Sequence, residues 1–538
     1  MPVPAPDWVS FEAAKTNGLD LLGLRAPVQA IGNELINGVT TVTPKLRYFS
    51  VITWIIWRYA KARLPDDWAP FSRFAAAQEA VVVIANLLND RNIRSMVGAD
   101  KAGQLVDANR KTFPLEPLVQ NIAFNIYATS SRQLGLTHQI DGSDILGLTK
   151  ERGFRLATAF DSIVNKSSYG ARLSKDPAIE RVSRDDLEEL SDKISLDRIP
   201  HDERQLLTEA LIPSETIDPK DAGERRRRES YTLLLWLSSK KASAIDEYDL
   251  FDAAREIPRD VPNVLRNTLD GWLDYIIRDV LAVAHETVFE AVLHQVDTSS
   301  AARGAPATAA DVIAALLNAV DEHNDILRRV GLFGKAESIQ KMSFHKFLQK
   351  IQGACKNNEN TENGLKRWRA GLSEIELYDN SLDAGAAAAA LLPAAWCLAA
   401  ERIAPSRQAT SAHRQKVMAI GDIFQIGLAN VVLPKIDEFL RDNRSLLEVM
   451  AELVTRTVQQ HLRVAWTRMS APRGKDVSVL IADVEAWSRN NTFRSGRTDS
   501  RLGVAIGWLE QLSLVNENGI TKEGQRVLDQ SIRSLERT

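Results

Sequence analysis

The sequence predicts a mainly α, multi-domain protein, and three observations carry that prediction. Apolar residues recur at helical spacing along most of the chain, and few stretches alternate as strands do. At 538 residues the chain is long enough for about three or four domains. Its 44% hydrophobic and 25% charged residues are an ordinary globular balance, so sizeable cores can be buried.

The elements follow in order. Thr43 is a preferred helix cap and Pro44 suits a first helical position, which predicts a helix through Lys45 to Arg63 with Leu46, Phe49, Trp54, Ile55 and Trp57 on its apolar surface. Leu64-Pro65-Asp66-Asp67 stops it, and a second apolar helix is expected from Phe71 to Leu88. Arg47 and Arg58 sit among bulky apolar residues, and Glu79 lies inside the second helix. A charge in such surroundings is costly unless paired, so structural ion pairs are expected, with a polar ligand pocket as the alternative. Arg225-Arg226-Arg227-Arg228, bracketed by Glu224 and Glu229, reads as the solvated start of a helix or as a phosphate-binding patch.

Composition divides the chain into four parts. Residues 1–168 are a helical domain, residues 169–297 a charged linker region with a helical segment, residues 310–470 a helical middle domain, and residues 476–538 a C-terminal module. Thr298 to Ala309, Lys356 to Gly364 and Ala404 to Ala412 read as flexible connections. Long helices are expected over Leu265 to Val296 and Ile420 to Ser470, the latter broken at Pro434. Ala384 to Ala400 reads as a close-packed core helix.

A formal net charge of −3 argues against a chain coated in nucleic acid, though not against a local basic surface. Cys355 and Cys397 build neither a disulfide framework nor a four-thiolate metal site. The Pro-rich stretch Met1 to Asp7 has no targeting pattern, and no run of about 20 apolar residues is present. The expectation is a soluble cytoplasmic protein without membrane contact.

One internal similarity stands out. Gly147-Leu148-Thr149-Lys150-Glu151-Arg152-Gly153-Phe154-Arg155-Leu156 resembles Gly519-Ile520-Thr521-Lys522-Glu523-Gly524-Gln525-Arg526-Val527. Each follows a helix that ends in a Leu-small-Leu step, Leu134-Gly135-Leu136 and Leu512-Ser513-Leu514. The shared order is helix, strand, turn, strand and Thr-capped helix. In the second copy, Val477 to Ser488 would add a supporting helix and Ser500 to Leu512 the second helix of the motif. The Asn516-Glu517-Asn518-Gly519 turn would join the strands.

Residues 476–538 thereby resemble the winged-helix modules of many bacterial proteins, and residues 118–160 look like a weaker second copy. The resemblance implies a fold, and a function only through the site grafted on it. Arg489, Arg494, Arg497 and Arg501, with Asn490, Asn491, Thr492 and Ser495, form an arm suited to phosphate and base contacts, so they are the candidate DNA-binding residues. Protein interaction and a merely solvated basic loop are the alternatives. The first copy has fewer basic residues and reads as structural.

No catalytic motif is present. His285-Glu286 begins like a zinc-protease helix, but Phe289 occupies the position of the second ligand and His294 falls on another face. No metal or cofactor is expected. Arg132 with His138, and Arg407 with His413, loosely resemble the Arg/His element of helical HEPN-type ribonucleases. Phosphate loops, dinucleotide fingerprints and nucleophile elbows are absent from the sequence.

Leu19-Asp20-Leu21-Leu22-Gly23-Leu24, followed by Leu46-Arg47-Tyr48-Phe49-Ser50 with Trp54 and Arg58, resembles the start of uncharacterised bacterial proteins from phage-defence neighbourhoods. The combined expectation is a DNA-associated, non-enzymatic subunit or adaptor of a multi-protein bacterial system in antiviral defence, with DNA and proteins as partners. A helical nuclease and a purely structural interaction scaffold are the alternatives.

Overall fold

The computed structural model describes residues 20–214, 222–256, 258–322, 327–328, 332–334, 337–356, 377, 385, 388–403, 426–471, 477–483, 486–496 and 498–537. In chain order, the first helices are α1 (Arg25–Leu35), α2 (Tyr48–Lys61), α3 (Trp68–Asn89), α4 (Ala99–Asp107), α5 (Ala123–Gln133) and α6 (Gly153–Val164). Next come α7 (Ser168–Lys175), α8 (Arg184–Ser191), α9 (His201–Leu211), α10 (Ala222–Lys240), α11 (Glu247–Glu256) and α12 (Arg266–Arg303). The remainder are α13 (Ala309–Glu322), α14 (Phe344–Lys356), α15 (Ala388–Arg402), α16 (Leu433–Arg441), α17 (Leu446–Met469), α18 (Leu502–Gln511) and α19 (Lys522–Leu535). Strands among the described residues form four antiparallel pairs: β1 (Thr112–Pro114) with β4 (Arg181–Ser183), β2 (Thr137–Gln139) with β3 (Leu146–Leu148), β5 (Leu480–Ala482) with β6 (Trp487–Arg489), and β7 (Val515–Asn516) with β8 (Gly519–Ile520). The mainly α expectation holds.

Helix starts follow local chemistry. Ser167, Ser183 and Thr521 each accept a backbone N–H of the first turn, and Ser445 with Glu448 forms a reciprocal capping box on α17. Thr43 does not cap α2. Its hydroxyl donates to the Thr40 carbonyl at 3.0 Å, and the helix begins a turn later, at Tyr48.

The described chain forms two compact units, and each is taken by itself. One lies within Met1–Ile31 and Leu273–Thr498. Its centre is a buried polar chain. The Trp396 indole N–H donates to His285 Nε2 at 3.0 Å, so His285 carries its proton on Nδ1 and donates to Thr457 Oγ1 at 2.7 Å. Thr457 passes its own proton to the Leu453 carbonyl. Burial, with Arg456 nearby, pushes the imidazole down to about 3, so it is neutral at physiological pH. His461 is buried too, between the Leu21 carbonyl and the Val479 N–H. Asp20 accepts the backbone N–H groups of Leu24, Arg25 and Ala26, and Arg25 pairs with Glu286 through two donors.

Two expectations fail in this unit. Val477 to Ser488 is not a supporting helix: Leu480, Ile481 and Ala482 pair with Arg489, Ser488 and Trp487 in a hairpin. The Trp487 N–H also bonds the Ala307 carbonyl at 2.7 Å, which anchors part of the connection expected to be flexible. Helix α12 itself runs on to Arg303. Pro434 is the second residue of α16, directly after a π-helical turn over Leu428–Val432.

The other unit lies within Gly32–Trp272 and Asp499–Thr538. Helices α2, α3 and α6 form its core, with Trp54 against Phe160 and Tyr59 against Phe71. Of the described helices, α3 alone has the length and apolarity to cross a bilayer, and most of it is buried here. Two of the three isolated charges form the expected ion pairs, and Glu79 does not. Arg47, fully buried, pairs with Glu203 at 2.7 Å and donates to the carbonyls of Lys193, Ser195 and Arg198. Arg58 pairs with Asp161. Glu79 pairs with no cation and instead accepts the N–H groups of Ala123 and Phe124 at 2.8 and 2.6 Å, capping α5.

The four-arginine run is a correction. It lies in α10, which is buried on most sides, and four consecutive positions on a helix point four ways. Arg225 turns to Glu229 and Arg226 to Glu34. Arg227, at 0% exposure, donates to the carbonyls of Asn37, Gln133 and Ala210. Arg228 donates to the Ser531 carbonyl at 3.2 Å, and Thr232 bonds the Ser531 hydroxyl at 2.6 Å. Glu224 takes Arg152 at 2.6 Å. The run is a clamp inside the fold.

Replacing Arg227 by Ala strands three carbonyls and is expected to cost about 3 kcal/mol in urea denaturation. Arg226→Ala, which removes a single 3.5 Å pair about one-fifth exposed, is expected to cost less than half as much as Arg227→Ala. Equal losses in the two variants would contradict the clamp.

Candidate functional site

The two sequence copies fold into the same small module, bond for bond. In the first, Gly135 N–H meets the Arg132 carbonyl at 2.9 Å and Leu136 N–H the Ser131 carbonyl at 3.0 Å, ending α5. In the second, Ser513 N–H meets Glu510 at 2.8 Å and Leu514 N–H meets Leu509 at 2.9 Å, ending α18. The middle residue of each Leu-small-Leu step is left-handed, with φ of +67° at Gly135 and +57° at Ser513. That reversal sends the chain into the first strand of the hairpin.

The threonine then ties the module shut. Thr149 Oγ1 donates to Gly135 O at 2.7 Å and accepts Gly153 N–H at 3.0 Å. Thr521 Oγ1 donates to Ser513 O at 2.8 Å and accepts Gly524 N–H at 3.0 Å. A Cβ on Gly153 would lie 1.8 Å from the Leu136 carbonyl oxygen, and one on Gly524 would lie 2.0 Å from that of Leu514. Only glycine fits at this crossing, in both copies.

In the second module, the helix that stands where a winged helix carries its reading helix is packed inward. Helix α18 would be the reading helix of the second copy, yet it carries no basic side chain and exposes only Gly503 and Glu510. Trp508 is buried against Phe49 and donates its indole N–H to the Thr43 carbonyl at 3.0 Å. Gln511 accepts Leu46 N–H and donates to the Pro44 carbonyl. The second hairpin is pinned as well, because a Cβ on Gly519 would meet the Lys241 carbonyl oxygen at 2.4 Å. In the first copy, α5 exposes Asn125, Thr129, Arg132 and Gln133, a polar face with one cation, and the hairpin tip exposes Asp141 and Asp144.

The four arginines of the expected DNA-binding arm do not share one setting. Arg489 lies on β6, pairs with Asp297 at 2.5 Å and donates Nε to the Asn491 carbonyl. Arg494 is exposed in the same unit. Arg497 lies outside the described residues. Arg501 belongs to the other unit, where its guanidinium bonds the Asn33 side chain and the Val39 carbonyl. Of the HEPN-like pairs, Arg132 ends α5 while His138 lies on β2, and Arg407 and His413 fall outside the described residues. Among the described residues no group of three or more His, Cys, Asp or Glu is placed to hold a metal ion.

The site that the fold does build is an open cleft of about 930 Å³ within the second unit. Three helices line it: α6 from the first module, α19 from the second, and α9. Its apolar part includes Leu206, Ile212, Pro213 and Val527. Arg155 and Arg526 also line it, each two positions past the crossing glycine of its module. Arg155 pairs with Glu209 at 3.7 Å across half-exposed side chains. Arg526 holds Glu523 through Nε at 3.0 Å and a second donor. That bond, with His201 and Arg204 nearby, keeps the Glu523 carboxyl below its ordinary value. The matching arginines of the two copies were a visible signal in the sequence; that they face one cleft was not.

No protein-family model, curated protein or solved structure matches this chain.

Two tests follow. Gly153→Ala and Gly524→Ala are each expected to cost about 3 kcal/mol by urea denaturation, from overlap with a backbone oxygen. Gly503→Ala, where nothing lies within 4 Å, is expected to gain about 0.5 to 1 kcal/mol. Burial raises the Glu79 carboxyl to about 7, against the two N–H bonds that favour its charge. The folded state therefore holds the proton more tightly than the unfolded chain. This contribution to stability is complete below about pH 4.5 and is lost as pH rises through 7, on the order of 3 kcal/mol in all. Glu79→Gln keeps an acceptor for the α5 N-terminus and is expected to flatten the stability profile between pH 5 and 8; an unchanged slope would exclude Glu79 as its source.

Proposed function

We propose that this chain is a protein-binding adaptor subunit of a multi-protein bacterial system, in the antiviral setting that its N-terminal resemblance implies. The carrying observation is the inward burial of α18. A module of winged-helix order whose reading helix is packed around Trp508 and Gln511 uses its other surfaces to meet partners. What the paired modules offer outward is the cleft between α6, α9 and α19, with an apolar part and self-paired charges. That is the anatomy of a protein interface more than of a phosphate groove, which needs cations in excess.

A second reading, DNA association, rests on the exposed Arg494 beside Asn491 and Thr492. It assigns the protein the same non-catalytic role with a different partner.

A photo-crosslinking residue at Gln530, which lines the cleft, is expected to capture one protein stoichiometrically in the native host, while the same residue at Gln525, off the cleft, captures none. Duplex DNA is expected to show no salt-sensitive mobility shift that Arg494→Ala, Arg497→Ala and Arg501→Ala together abolish. A shift lost in that triple variant would favour the second reading instead. Arg501→Ala alone is expected to lower stability by about 1 kcal/mol, because its guanidinium already holds Asn33 and Val39.

A further inference from the structure

The opening helices of the two modules, α5 and α18, differ in one respect: α18 holds a guest from its own chain, and α5 holds none at the matching place. The shared bonds fix the correspondence. Leu136 N–H meets the Ser131 carbonyl as Leu514 N–H meets that of Leu509. Counting along each helix from there, Thr129 matches Gly507 and Gln133 matches Gln511. Burial follows the alignment: Tyr127 and Ser130 are buried as Ala505 and Trp508 are, and Asn125 and Arg132 are exposed as Gly503 and Glu510 are. On the side that carries the glutamine the copies part. Gly507 and Gln511 are half-buried, whereas Thr129 and Gln133 are exposed.

The guest of α18 is the turn before α2. Gln511 Oε1 accepts Leu46 N–H at 2.9 Å, and Nε2 donates to the Pro44 carbonyl at 2.9 Å. Main-chain groups at a helix start lack helical partners, and a side-chain amide carries a donor and an acceptor that can satisfy both kinds. Gln133 brings the same amide to the first copy. Arg227 fixes its main-chain carbonyl at 2.9 Å, while its exposed side chain bonds none of the described residues. Ile126, two turns earlier on that side, is half-buried as Val504 is. A Cβ on Gly503 or Gly507 would meet nothing within 4 Å, so the larger Asn125 and Thr129 begin in open space beside a turn seated as residues 43–46 are. Ser130 replaces Trp508, so the indole bond to Thr43 has no counterpart and the amide is the grip that remains.

We propose that the Thr129–Gln133 side of α5 docks the turn at the start of a helix in a partner protein. The Gln133 amide accepts one backbone N–H of that turn and donates to the carbonyl two residues earlier, as Gln511 does with Leu46 and Pro44. This rests on the adaptor reading, at a surface that does not line the cleft. Main chain suits this surface better than nucleic acid does, because Arg132 is its one cation and the hairpin tip of the same module carries Asp141 and Asp144.

The test uses the full-length chain and a peptide that copies the internal guest, Thr40 to Arg47 followed by an alanine-based helix, observed by saturation-transfer NMR. The peptide is expected to bind. N-methylation of the leucine that matches Leu46 removes the donated N–H and should weaken binding about 5-fold. Gln133→Ala should weaken the unmodified peptide at least as much and make binding indifferent to the methyl group. Thr129→Trp, which covers the surface, should abolish binding, and Arg132→Ala should leave it unchanged. Melting temperature should fall in Gln511→Ala, which loses a guest already bound, and stay unchanged in Gln133→Ala. Equal falls in those two variants, no binding of the peptide, or equal binding with and without the methyl group would overturn the proposal. A 20-base-pair duplex bound through Arg132 and Gln133 would overturn it in favour of nucleic acid. In the native host, a photo-crosslinking residue at Arg132 is expected to join the first turn of a partner helix. Capture from Gln530 alone keeps the adaptor reading and removes this docking site, whereas capture from neither position removes the adaptor reading itself.

Discussion

The second unit depends on the guanidinium of Arg227. It is wholly buried, and it donates to carbonyls on three separate stretches, at Asn37, Gln133 and Ala210. Carbonyls at such positions, the ends of helices α5 and α9 among them, lack helical partners and must be satisfied by something. One planar cation with several donors does this where separate caps would otherwise be required. Its neighbours extend the arrangement: Arg228 and Thr232 hold Ser531 of α19, and Glu224 holds Arg152 beside α6. Helix α10 is therefore the common support of both small modules, which explains how their closing helices, α6 and α19, come to border one cleft.

The modules show which parts of a duplicated unit are constrained by backbone geometry and which are not. The left-handed residue, the threonine bridge and the crossing glycine recur with nearly identical distances. What differs is everything that faces a neighbour. The first copy begins its opening helix on the Glu79 carboxylate, the second on Arg501 in a left-handed conformation. One hairpin tip is exposed and acidic, and the other is fastened to α10. The same scaffold thus meets different surroundings without disturbing its internal bonds.

Much of this was legible in the sequence, because it is local. The apolar spacing that defines α2 and α3, the core character of the alanine-rich helix α15 and the order of elements in both modules depend on residues close in the chain. The misreadings share a different cause. Arg225 to Arg228 looks solvated because nothing nearby in sequence says that carbonyls at residues 37, 133 and 210 will surround it. Val477 to Ser488 has helical spacing, yet its residues pair across a hairpin and to Ala307, a partner far away in the chain. Thr43 has the chemistry of a cap, but its hydroxyl and carbonyl are taken by Thr40 and Trp508. The cleft belongs to the same class: its arginines are visible as a repeat, whereas their convergence is a property of the folded chain alone.

The make-up of the second unit also bears on how the chain is born. Its body is encoded by residues 32–272, but its last module arrives only after residues 273–498 have been made. At common translation rates of about 5 to 20 residues per second, that interval lasts roughly 10 to 45 seconds. Throughout it, Thr43, Leu46 and Phe49 await Trp508 and Gln511, and Arg228 awaits Ser531. The nascent body therefore waits on the ribosome with an apolar seat and a buried cation unfilled, so the last forty residues act as the closing step of its folding and set the period during which a chaperone would be most needed.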